Sequence, residues 1–217
     1  LSYFNVHTHR KPQNKNEFCI RNAYLNSALK LPLNYYVCAG LHPWFVHRYS
    51  KEELLNKLQI MLSEPSVLAV GEIGLDKLRL HFDLQKKYFE WQLALANEHQ
   101  KPAIIHLVKA SQELRTHLNK NTNDIVLHGF TGGIELWKQL NPQGKTHVSI
   151  GQQVFKASKN LIGLIQQIPI EFLFAETDQS TVSIVTIYQE IAKIRGVSME
   201  ELETQLGLNF KRVFLKD

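Results

Sequence analysis

Apolar and polar positions change rhythm repeatedly along this chain. Short runs rich in Val, Ile, Leu and aromatic residues, bounded by turn residues, recur at Ser2–His9, Glu17–Tyr24, Tyr35–Leu41, Val67–Leu75, Ala103–Val108, Ile125–Phe130, Thr146–Ile150 and Phe172–Ala175. Runs of that length and composition predict eight strands. From the third run onward they alternate with stretches of helical period. Ser50 and Glu53 form a capping box ahead of a helix reaching about Ser63, and His81–Gln100 places Phe82, Phe89, Leu93 and Ala96 on one face. Pro102 closes that helix, and further helices are predicted at Ala110–Asn119, Ile134–Leu140, Lys159–Gln167 and Val182–Arg195, with Ser198 and Glu201 capping a last one.

Near-continuous apolar strands alternating with amphipathic helices predict a parallel sheet covered by helices, and eight of them predict a closed (β/α)8 TIM barrel forming one domain over residues 1–217. The front of the chain fits less well. Arg10–Glu17 and Asn26–Pro32 are too short and too polar for full covering helices, so the barrel is expected to lack one or two of them near its N-terminus. A doubly wound open sheet is the competing fold, but no glycine-rich phosphate loop follows a strand.

Composition narrows the class. With 44% hydrophobic and 21% charged residues the 217-residue chain can bury a core, and no apolar run approaches the roughly 18 residues of a membrane span. Two cysteines, Cys19 and Cys38, are too few for a disulfide framework, and no signal-like segment opens the chain, so a cytoplasmic location is expected. The net charge of +5 suits a polyanionic partner, although no block of like charge occurs. Neither a membrane nor an obligate protein partner is predicted.

The chemistry gathers at strand ends. His7 and His9 close the first run, His42 the third, Glu72 and Asp76 the fourth, His106 and His128 lie at the fifth and sixth, and Glu176 and Asp178 end the eighth. In a parallel barrel these are C-terminal rim positions, where active sites of that fold are built. Each alone admits a plainer role: a buried hydrogen-bonded imidazole, a turn cap, a helix N-cap at Asp178. His47, His81, His99, His117 and His147 fall elsewhere and read as surface residues. Four of these imidazoles and two of these carboxylates, with no thiolate, suit two divalent ions sharing a bridging carboxylate, which is hydrolytic machinery best matched to phosphate esters.

The ordered set NVHTHR, AGLHPW, AVGEIGLD, QLALANEHQKPAIIH, IVLHGFTGG and FAETD resembles the TatD family of metal-dependent deoxyribonucleases among the amidohydrolase-type barrels. The resemblance runs from residue 5 to LNFKRVF, and GEIGLD and KPAIIH are its most specific parts. It implies that His7, His9, Glu72 and Asp178 hold one divalent ion (Mg2+, Mn2+ or Zn2+) and that Glu72, His106 and His128 hold a second, with Glu72 bridging. Asp178 and Glu72 would be the catalytic carboxylates, Asp178 taking the proton of the attacking water. His42 would face a substrate phosphate, and DNA would be the substrate.

The chain reads as a trimmed, divergent member. Asn5 stands where the family usually has an acid, and Trp44 where a second histidine is common. HLVKA lacks the usual arginine, for which Lys109 offers only a point charge. KLRLHFDLQ is short, and ETDQSTV lacks the usual proline. Retained ligands with altered surroundings leave two alternatives beside DNA hydrolysis: a metal-dependent hydrolase of another ester or amide, or a metal-binding protein without turnover.

Overall fold

The computed structural model describes residues 2–23, 25, 35–119 and 121–216. Its strands are β1 (Tyr3–Thr8), β2 (Glu17–Ala23), β3 (Tyr36–Ala39), β4 (Val67–Asp76), β5 (Ala103–Val108), β6 (Ile125–Leu127), β7 (Thr146–Ile150) and β8 (Leu173–Ala175). All neighbours pair in parallel in sequence order, and Asn5 of β1 pairs with Ala175 of β8 to close the barrel. That closure excludes the open sheet.

The helices are α1 (Lys51–Leu62), α2 (Phe82–Glu98), α3 (Ser111–Leu118), α4 (Ile134–Leu140), α5 (Lys159–Gln167), α6 (Ile184–Arg195) and α7 (Met199–Phe210), close to the predicted spans. The Ser50–Glu53 capping box forms at α1, and Ser198 caps α7 through the Glu201 N–H. α6 begins two residues later than expected because the Ser183 side chain caps it at the Val185 N–H. No helix covers residues 10–16, as anticipated. The second thin stretch, Asn26–Pro32, lies outside the described residues.

Two apolar layers hold the barrel. Between strands and helices lie residues such as Leu54, Leu58, Phe89, Leu114, Leu164 and Tyr188. Each stabilises the fold by about 1.5–3 kcal/mol on burial. Inside the barrel, Val6, Ile20, Cys38, Ala69, Ile104, Val126 and Phe174 form a second cluster, plugged by Phe210 and Phe214 from the C-terminal helical turns. His147, expected at the surface, belongs inside: it pairs in register with Val126, is fully buried, and bonds Asp124 Oδ1 through Nε2 at 2.7 Å. Its place in a strand outweighed its polarity once a carboxylate was in reach. With its lower interior filled, the barrel leaves its polar side chains to the opposite rim.

Candidate metal centre

Two irregularities in strand pairing aim the central side chains. Between the pairs Val70–Ala103 and Ile73–Ile105, β4 advances three residues while β5 advances two. The same mismatch separates Asn5–Cys19 from Thr8–Arg21 on β1 and β2. Such a bulge re-aims side chains that simple alternation would send elsewhere, and here the bulged residues include Glu72 and His7. β4 can approach this closely because Gly74, at φ +149°, has no Cβ; one built there would meet His106 O at 2.0 Å. The Glu72 N–H is anchored by Asn22 Oδ1 at 3.3 Å. His9 lies just past β1 and is held by its N–H to Asp178 O at 3.0 Å.

Glu72 stands at the middle of the cluster with its two oxygens in different company. Oε2 lies 3.3 Å from His7 Nε2 and 3.6 Å from His9 Nε2, and Asp178 Oδ1 stands 3.6 and 3.4 Å from the same two nitrogens. Oε1 lies 3.1 Å from His42 Nε2, 3.1 Å from His106 Nδ1 and 2.9 Å from His128 Nε2. The rim residues implicated by sequence thus converge, Lys109 excepted.

The donors fit divalent ions. Ligand atoms about 2.0–2.1 Å from a tetrahedral ion are about 3.3–3.4 Å apart, close to the spacing of the first group. Nε2 of the fully buried His7, which faces Glu72 and Asp178, makes no hydrogen bond. Buried polar atoms left so are exceptional and mark a site built for something else. His42 differs from the other imidazoles. Its Nδ1 accepts the Trp44 N–H at 3.2 Å, so Nε2 carries the proton and donates to Glu72.

Charge is organised around the same carboxylate. Burial alone would raise the Glu72 carboxyl, yet the positive field of His128 and hydrogen bonds from His106, His128 and His42 hold it well below the usual range. Asp178 is also lowered: burial would raise it, but the nearby positive charge of His7 outweighs that. His7 is pushed well above the ordinary imidazole value against its own burial by Asp178, Cys38 and Glu72. His128 is raised to about 9 by Glu72 and Glu176, against burial and the charge of His7. Burial lowers His42. Protonated imidazoles therefore present to the carboxylates the charge that cations would supply.

Other polar groups orient this cluster. Asp76 Oδ2 accepts the Trp44 indole N–H at 2.7 Å and stands 3.5 Å from His106 Nε2. Glu176 Oε1 lies 3.4 Å from His128 Nδ1, while its other oxygen accepts from Ser149 Oγ. Asp76 and Glu176 were visible as strand-end acids and Trp44 as a replaced histidine, but Ser149 and Gln85, which bonds both backbone polar groups of Asp76, carried no chemical signal in the sequence. Asn5 is fully engaged as well. It donates to Glu17 Oε1 at 2.7 Å and to Thr177 Oγ1 at 2.9 Å, and accepts the Thr177 N–H at 3.0 Å. The acid expected at position 5 has a counterpart next door in Glu17.

Two cavities flank the centre and share His106, His128 and Asp178 as lining. One, of about 360 Å³, is walled by Leu25, Leu41, Trp44, Phe45, Arg48 and Tyr49. The other, of about 590 Å³, is mixed, with Leu107, Val108 and Phe155 beside Thr131, Gln152, Gln153 and Lys156. Lys109, expected to meet substrate, lines neither; its backbone turns left-handed at φ +51° and its side chain is exposed. Lys156 is a cation at the site that the sequence reading passed over.

The arrangement has known relatives. A family model described as TatD related DNase matches residues 13–215. An uncharacterized metal-dependent hydrolase of Methanocaldococcus jannaschii is 27% identical over 86% of this chain and 78% of its own. The deoxyribonuclease Tat-D of Schizosaccharomyces pombe is 32% identical over 70% of this chain, which spans about half (54%) of that protein. A 3'-5' ssDNA/RNA exonuclease TatD of Erwinia amylovora is 28% identical over 81% of this chain and 76% of its own. The crystal structure of a TatD homologue from Escherichia coli superposes with a TM-score of 0.84 at 22% identity, covering 98% of both chains.

Proposed function

The chain belongs to the TatD-related DNase family, and from that premise we propose that it hydrolyses nucleic-acid phosphodiesters, DNA foremost, at a centre of two divalent ions. The observation that carries this reading is Glu72, whose two oxygens each face a separate set of imidazoles. His7, His9, Glu72 and Asp178 would hold one ion, and Glu72, His106 and His128 the other. The all nitrogen and oxygen donor set suits Mg2+, Mn2+ or Zn2+. When bound, such ions supply Lewis-acid charge and an acidified water.

The residues divide the remaining work. Asp178 is the most open of the central carboxylates, its side chain 41% exposed against 4% for Glu72, and its lowered pKa keeps it ionised at neutral pH. It can therefore accept a proton from the attacking water as the water oxygen bonds to phosphorus and one P–O ester bond breaks. His42, whose Nε2 carries a proton and so offers no lone pair to an ion, is assigned to a substrate oxygen. Lys156 is better placed than Lys109 to meet a phosphate. Two free buried cysteines, Cys19 and Cys38, favour a reducing compartment such as the cytoplasm.

The test is nucleotide release from short single- and double-stranded DNA with Mg2+ or Mn2+, with Asp178→Asn as control and metal content measured in both proteins. Release by the wild type, reduced at least about a hundredfold in the variant, is expected. Two bound ions without release above the control would overturn the nuclease reading, and turnover of a generic aryl ester or phosphate would then favour another ester as substrate.

A further inference from the structure

We propose that the aromatic cavity beside the centre is a nucleobase pocket that takes the terminal base of a single-stranded substrate, an inference resting on the nuclease reading above. The cavity opens directly onto the reacting groups, since His9, His42, Glu72 and Asp178 are part of its lining. Trp44, Phe45 and Tyr49 form its aromatic wall, with Leu25 and Leu41 completing an apolar surface. Trp44 and Phe45 sit in the short helical turn Pro43–Arg48, directly after β3, so their spacing relative to His42 is set by one rigid segment.

The cations around the pocket favour a base over an aliphatic group. The Arg48 guanidinium lies 4.5 Å from the Phe45 ring centroid and Arg79 lies 4.1 Å from that of Trp44. Aromatic faces backed by guanidinium groups bind bases by stacking without selecting among them. Trp44 is 41% exposed, so part of its surface is free to be covered. Among the described residues, the carboxylates lining the pocket are Glu72 and Asp178 of the centre itself.

Size and polarity orient the strand. About 360 Å³ is at the small end of ligand pockets, roughly 300–1,000 Å³, which suits one base and its sugar. The opposite cavity adds, beside Leu107, Val108 and Phe155, the hydrogen-bonding groups of Thr131, Gln152 and Gln153 and the positive charge of Lys156 for sugar and phosphate. A strand lying across the centre would place its last base on the aromatic side, the scissile phosphate over Glu72, and the preceding backbone on the Lys156 side.

The experiment compares two single-stranded oligonucleotides that differ only in whether the terminal nucleotide carries a base or is abasic, cleaved by wild-type protein with Mn2+. Stacking of one base predicts a preference for the complete end of roughly 5- to 150-fold in kcat/KM, shrinking toward unity in Phe45→Ala and in Tyr49→Leu. Equal cleavage of both ends by the wild type would overturn the pocket. Saturation-transfer NMR with dAMP separates the two levels of inference without relying on turnover. Base protons that saturate more strongly than sugar protons, with no cleavage of any oligonucleotide, would keep the pocket and sink the nuclease reading. No base contact together with no cleavage would sink both.

Discussion

The indole N–H of Trp44 donates to Asp76 Oδ2 at 2.7 Å, and that oxygen stands 3.5 Å from Nε2 of His106, whose Nδ1 faces Glu72. Asp76 itself cannot drift, because its Oδ1 accepts the Leu78 N–H at 3.0 Å and Gln85 bonds its backbone N–H. A carboxylate behind an imidazole raises the basicity of the nitrogen on the other side. Asp76→Asn keeps the bond from Trp44 and removes the charge. Affinity for Mn2+ at the Glu72–His106–His128 group is expected to fall about 10–100-fold in a calorimetric titration; an unchanged affinity would dismiss the positioning role.

Glu176 does for His128 what Asp76 does for His106. Its carboxylate, 3.4 Å from Nδ1, is one of the groups that raise the imidazole to about 9. In Glu176→Gln the His128 ring is expected to titrate at lower pH in the metal-free protein, followed by NMR of the ring protons. No displacement would mean that Glu72 alone sets its proton affinity.

Asn5→Asp restores the family's acid at the first strand and should destabilise the protein. The new carboxylate would lose both donated hydrogen bonds and sit against Glu17, where Asn5 Nδ2 now lies 2.7 Å from Oε1. A buried unpaired charge of this kind costs about 3–5 kcal/mol. The loss should be largest at neutral pH and smaller near pH 5, where the pair can share a proton, as read from melting temperatures at the two values. A variant as stable as wild type at neutral pH would show that a second acid is accommodated here.

Alkali should act oppositely on the metal-free fold and on metal binding. His128, raised to about 9 from 6.5, contributes stability that is complete below 6.5 and lost as pH climbs through about 9; the raised His7 acts in the same direction. Glu72 and Asp178, both lowered, contribute stability present above the ordinary carboxylate values of 4.5 and 3.8 and lost as pH falls. Thermal stability without metal should therefore peak between about pH 5 and 6.5. Ions must displace the protons of His7 and His128, so affinity should rise from pH 6.5 to 9 and binding at neutral pH should release protons, measured by calorimetry in buffers of different ionisation enthalpy. Binding without proton release would contradict the charge arrangement around Glu72.

By itself the sequence determined the elements and the inventory of the site. Alternation of apolar runs with helical periods marked every strand and helix of the barrel, and the position of each polar residue at the end of a run marked His7, His9, His42, Glu72, His106, His128 and Asp178 as rim residues. These are local patterns, set by backbone period and side-chain polarity within a few residues. What only the tertiary structure decided is direction and company. Strand period alone did not bring His7 and His9 together: β1 stops at Thr8, its pairing is bulged, and His9 is placed by a backbone bond to Asp178. The same kind of bulge turns Glu72 to the middle of five imidazoles, a left-handed residue sends Lys109 outward, and closure of the barrel buries His147. The pairs Trp44–Asp76, Asn5–Glu17 and His128–Glu176 join different strands or the loops that follow them. Such contacts depend on register and closure, which involve residues far apart in the chain, so no local pattern encodes them.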